Sequence, residues 1–64
     1  MDYYVIKLKH SEVFVDGYKN YKISFTNTFS GAMLFSSLTF LNEFISTYMS
    51  NSEVEIYKIV LQKI

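Results

Sequence analysis

The chain has 64 residues, no cysteine and a single histidine, so disulfides and thiolate metal sites are excluded and one imidazole cannot build a zinc site. Its six bases, all lysine, balance six acids, which argues against phosphate recognition as a main activity, since that rests on an excess of Lys and Arg. Residues 1–64 are read as one α+β domain; a chain of this length buries only about 60% of its unfolded surface and, without a covalent staple, depends on packing or association.

The opening "MDYYVIKLK" has no basic start followed by an apolar run, so it does not read as a secretory signal. Ile23 to Asn42 carries no charge, but it is punctuated by Ser, Thr and Asn, unlike the predominantly apolar run of about 20 residues that a spanning helix needs. The expected location is the cytoplasm, with no membrane partner.

The first strand is Tyr3 to Lys9, with Tyr4, Ile6 and Leu8 on one face and Tyr3, Val5, Lys7 and Lys9 on the other. "EVFV" follows, with Val13 and Val15 opposite Phe14, and then "YKISFT", with Tyr21, Ile23 and Phe25 opposite Lys22, Ser24 and Thr26. A connection at His10-Ser11 pairs Leu8 with Val13 and Ile6 with Val15. Asp16-Gly17 is a strong two-residue turn signal, but such a turn would set Val13 against Asn20. A five-residue loop "DGYKN" sets Val15 against Tyr21 and Val13 against Ile23, keeping the apolar set on one side; register follows the buried face, so the longer loop is expected.

After Asn27 the period changes. "SGAMLF" reads as a short helical turn, and "SSLTFLNEFISTYMSNS" as the main helix, with Leu38, Leu41, Phe44, Ile45, Tyr48 and Met49 as its apolar stripe. Ser36 or Ser37 is the expected N-cap and Asn51 the stop. The closing "EVEIYKIVLQKI" is a strand with Val54, Ile56, Val60 and Ile64 on one face and Tyr57, Ile59 and Leu61 on the other. Placed beside the first strand by a right-handed crossover it runs parallel to it. The expected fold is β-β-β-α-β, a four-stranded mixed sheet with one helix on one face.

One helix covers one sheet face and leaves the other open. The open face should carry Tyr3, Val5, Lys7, Phe14 and Lys22, and an apolar patch there marks a contact surface; an edge strand, or the loop residues Asp16, Tyr18 and Lys19, is the alternative contact surface. No constellation carries catalysis. His10, Ser11 and Glu12 share a tight turn and do not converge as a triad. Glu53 and Glu55 alternate at a strand start, where solvated acids are ordinary. Asp16 and Asn20 are too few oxygens for calcium, Gly31 belongs to no phosphate loop, and Met33 and Met49 are core fillers. No cofactor or metal is expected.

The strand "YYVIKLK", the "AMLFSS" turn at Ala32 to Ser37, the helix "LTFLNEFI" and the strand "EIYKIVLQ" together resemble the layout of small accessory proteins encoded by phages and prophages of low-GC bacteria. The resemblance implies a protein acting in the host cytoplasm, in some cases by binding and blocking a host factor; it carries over no functional residue. The expected function is therefore a non-enzymatic protein-binding module, a phage-type accessory or counter-defence inhibitor that blocks a host protein. It is also expected to form a homodimer through the open face, anchored at Phe14, or through the terminal strand. Two alternatives stand beside it: a single-stranded nucleic-acid binder using Tyr3, Phe14 and the lysines, which zero net charge disfavours, and a structural component acting as an oligomer.

Overall fold

The computed structural model describes residues 2–20, 22–60 and 63. Its elements are β1 (Asp2–Leu8), β2 (Phe14–Lys19), β3 (Lys22–Thr26), one 3-10 turn (Phe29–Gly31), α1 (Leu38–Tyr48) and β4 (Val54–Val60). The strands form one sheet in the order β3-β2-β1-β4, and every pairing is antiparallel. The fold is thus a small α+β one, and the mixed sheet expected from the sequence is corrected.

The correction has a definite cause in the segment between β3 and α1. Residues 32–37 are not helical. They run extended back across the sheet, where Phe35 exchanges two main-chain hydrogen bonds with Tyr4, both 2.8 Å, and the Met33 N–H donates to the Val15 carbonyl at 2.8 Å. This return adds one reversal before the helix, so β4 descends antiparallel to β1, in unbroken register from Asp2↔Val60 to Leu8↔Val54. The helical turn expected within "SGAMLF" is confined to Phe29–Gly31.

The same segment explains how β1 and β2 meet. They pair at Lys7↔Phe14, and the Leu8 N–H donates to the Val13 carbonyl at 3.0 Å; both contacts fit a register built on the His10-Ser11 turn. Below that point the main-chain groups of Tyr4 bond to Phe35 and the Val15 carbonyl accepts from Met33, in place of bonds between β1 and β2. Residues 33–35 fill the opening between two splayed strands.

The hairpin of β2 and β3 corrects the five-residue loop. Val15 pairs with Phe25, Gly17 with Ser24, Tyr18 with Ile23 and Lys19 with Lys22, with a register shift between Val15 and Gly17. Asp16 is the extra residue of a β-bulge, and its carboxylate accepts a hydrogen bond from the Ser24 hydroxyl. The reversal lies after Lys19, at Asn20, whose φ of 53° is the left-handed conformation that Asn tolerates. Val15 therefore faces Phe25 and not Tyr21. Tyr21, Leu61 and Ile64 lie outside the described residues.

The core lies between α1 and one sheet face. Ile6, Val15, Phe35, Leu41, Phe44 and Met49 are buried there, with Tyr4, Leu8, Ile23, Ile45, Tyr48 and Val54 packed around them. Leu41, Phe44, Ile45, Tyr48 and Met49 deliver the expected helical stripe, whereas Leu38, in the first turn, is exposed. Ser37 is the N-cap: its hydroxyl accepts from the Phe40 N–H at 3.2 Å. The helix closes at Tyr48, and the Met49 N–H donates to the Ile45 carbonyl, before Asn51 is reached. Phe25, expected in the core, is exposed, although Ile23 of the same edge strand packs against the core.

Candidate functional site

Alternation places Tyr3, Val5 and Lys7 of β1 on the face away from α1, and the β1–β4 register sets them beside Ile59, Tyr57 and Glu55. Phe14 joins them from β2, opposite Lys7 and Thr26. Among the described residues no helix lies over this face, but its margin is covered by the 3-10 turn. Phe29 lays its ring edge-to-face against Phe14, with centroids 5.6 Å apart and planes at 87°, a favoured aromatic geometry.

Packing of that turn explains its glycine. A Cβ at Gly31 would meet the hydroxyls of Thr26 and Thr28 at 3.0 and 3.1 Å. Those two hydroxyls lie 3.0 Å from each other, and the Thr28 N–H donates to the Thr26 hydroxyl at 3.2 Å. The absence of a side chain at Gly31 lets the turn sit on the end of β3, which brings Phe29 over Phe14.

Phe14, Phe29, Tyr57 and Ile59 line a hollow of about 350 Å³, with Lys7 and Glu12 at its polar side and Lys58 contributing to its wall. The cations near it are already engaged. The Lys7 ammonium donates to the Leu8 carbonyl at 3.1 Å and lies 3.4 Å from the Glu55 carboxylate. That of Lys58 lies 3.2 Å from Asp2. The hollow is aromatic and locally charge-balanced, a place for an apolar group more than for an anion.

The structure sorts the sequence-derived site residues into three groups. Lys7 and Phe14 meet in the hollow; Tyr3 lies half-buried on the same face and Lys22 is exposed at the start of edge strand β3. Val5 is corrected: it is fully buried, with Tyr57 as its cross-strand partner, and offers no surface to a ligand. Asp16, Tyr18 and Lys19 do not form a loop beside this face. Asp16 sits in the bulge and Lys19 ends β2. The bulge puts Tyr18 on the helix side with Val15 and Ile23, where its ring stands 4.8 Å from Tyr48 and 6.0 Å from Phe44.

Phe29 is the hollow's residue that strand periodicity missed. Its signal was an aromatic three residues past the end of a strand, in "TNTFSG", where a turn would fold it back over the last cross-strand pair. Elsewhere, the groups that raised catalytic readings disperse. His10 Nε2 lies 2.8 Å from the Glu53 carboxylate, with both side chains mostly exposed, so the turn histidine reaches across to the approach to β4 and not to Glu12. Among the described residues no group of three or more His, Cys, Asp or Glu could hold a metal ion, and no helix is long and apolar enough to cross a membrane. No protein-family model, curated protein or solved structure matches the chain.

Proposed function

We propose that this chain is a small non-enzymatic protein-binding module that receives an apolar side chain of a partner protein in the hollow beside Phe14. The observation that carries the reading is the three-ring wall of Phe14, Phe29 and Tyr57 on a sheet face with no second layer over it. Phe29 and Tyr57 stay 55% and 45% exposed, an arrangement that leaves aromatic surface for a partner to cover. Aromatic residues in partly formed pockets are typical anchoring points of protein interfaces. The sequence layout supports a phage-type accessory protein that blocks a host factor as the biological setting.

Nucleic-acid binding through the same face fits less well. Lys7 lies against Glu55 and Lys58 against Asp2, and the Phe14 ring is engaged by Phe29, so this face offers fewer open cations and less open ring surface than the sequence suggested. The test is Phe29→Ala, which opens the hollow without touching strand pairing. Partner binding should fall at least about tenfold while the variant still unfolds cooperatively, its thermal midpoint lowered by roughly 2–12 °C, as expected for losing an aromatic pair of about 0.5–1.5 kcal/mol in a domain this small. Unchanged binding by the folded variant would remove the hollow from the account.

A further inference from the structure

The two edges of the sheet are built differently. At the β3 edge the strand is five residues long, begins with Lys22 and lies against the Asp16 bulge, features that discourage further pairing. At the β4 edge seven residues run in register with β1 without a bulge or proline, and the strand's one lysine, Lys58, lies 3.2 Å from the Asp2 carboxylate. Its apolar residues are also exposed, Ile56 at 41% and Val60 at 62%.

The direction of the free main-chain groups follows from the hydrogen bonds of β1. Tyr4 and Leu8 turn their N–H groups toward Phe35 and Val13, on the side away from β4, and the Lys9 N–H donates to the Glu53 carbonyl. Alternation then gives the odd residues of β1 to β4, so Glu55, Tyr57 and Ile59 bond inward. The N–H and C=O groups of Val54, Ile56, Lys58 and Val60 point outward from the sheet.

We infer that β4 pairs antiparallel with β4 of a second copy, about a two-fold axis at Tyr57, to form one continuous sheet across the dimer. An axis perpendicular to the sheet keeps the faces aligned and pairs residues of like parity. Centred on Tyr57, Val54 meets the second copy's Val60 and Ile56 meets its Lys58, so every outward group of β4 finds a partner. Centring on Ile56 leaves Val60 without one, and centring on Lys58 opposes two ammonium groups. In the Tyr57 register no like charges are opposed: Glu55 faces Ile59 and Lys58 faces Ile56. The exposed Val60 and Ile56 are covered by the added strand, and zero net charge raises no barrier to self-association. The chemistry that recognises the edge is a second copy of this strand, and the inference stands apart from the hollow.

Light scattering and amide hydrogen exchange on the intact chain test it together. At ~200 µM the particle should have twice the 7.5 kDa protomer mass, shifting toward protomer on dilution by mass action. The amides of Ile56, Lys58 and Val60 should exchange at least about tenfold more slowly in the concentrated sample, while Tyr57 and Ile59 stay protected at both concentrations. Ile56→Pro removes an outward donor at an edge position where proline is tolerated, and should give a folded protomer; Phe29→Ala should remain a dimer. A protomer mass at ~200 µM would overturn the inference, since edge pairing would then be too weak to populate the dimer. So would a dimer whose even-numbered β4 amides exchange equally fast at both concentrations, a folded Ile56→Pro dimer, or dissociation by Phe29→Ala. Should Ile56→Pro fail to fold, the exchange pattern of the parent protein decides.

Discussion

Tyr4 and Phe35 exchange two main-chain hydrogen bonds of 2.8 Å, although Phe35 belongs to no strand of the sheet. The bridge fixes the chain's return across the sheet before the helix begins, and with it the direction of β4. It also delivers the Phe35 ring to the core, where it lies 5.3 Å from Phe44 and 5.9 Å from Phe40. A single bridge thereby joins topology to packing: the residue that reverses the chain is one of the core residues under the helix.

Leu41 has no exposed surface, whereas Ile45, one turn later, is partly buried. Leu41→Ala should cost about 2–5 kcal/mol, the range for a large-to-small change in a packed core. Ile45→Ala should cost less, because solvent already reaches it. Thermal unfolding of the two variants checks the order; equal melting would mean that the helix face is misassigned.

Ser37 caps α1 through the Phe40 N–H. No acidic residue in the first turn and no basic residue in the last supports the helix dipole, so this cap is a main local stabiliser. Ser37→Ala should lose about 1 kcal/mol and Ser37→Asp should retain stability. Equal losses in both, measured by urea unfolding, would show that the cap contributes nothing.

Tyr18 and its neighbour Lys19 are both exposed by surface area, but only Tyr18 stacks on the helix, through Tyr48 and Phe44. Tyr18→Ala should destabilise by about 1 kcal/mol or more through loss of the ring contacts. Lys19→Ala should stay within about 0.5 kcal/mol. Parallel melts decide; a neutral Tyr18→Ala would return Tyr18 to the exposed loop that the sequence suggested.

The engaged lysines make a prediction about nucleic acid. With Lys7 and Lys58 ion-paired inside the chain, a labelled single-stranded oligonucleotide should show no saturable binding at ~10 µM protein and physiological salt, because few counterions can be released. Anisotropy that saturates there and collapses steeply with added salt would favour the nucleic-acid reading.

The sequence made much of this architecture legible wherever period and burial agree. The alternation of β1, the stripe from Leu41 to Met49 and a serine cap within Ser36-Ser37 all follow from local pattern. It misled where a local rule competed with a non-local one. The apolar match of Val15 with Tyr21 argued for a loop over Asp16 to Asn20, yet the strand continues to Lys19 through a bulge at Asp16, and the shift puts both Val15 and Tyr18 on the helix side. Residues 32–37 have no clear period, since their hydrogen bonds go to Tyr4 and Val15, far away in sequence; the direction of β4 was unreadable for the same reason. Of the hollow, Phe14 and Lys7 could be read from strand parity, whereas Phe29 reaches it only through a turn seated on Thr26 by Gly31.

The most direct test of the binding account compares immobilised parent protein with Phe29→Ala in capturing proteins from a bacterial host lysate, with folding of both verified beforehand. The account predicts a specific host protein retained by the parent through a high-salt wash, as expected for an apolar anchor in an aromatic hollow, and at least tenfold depleted on Phe29→Ala. An identical set of proteins on both, or retention lost entirely on raising the salt, would contradict it.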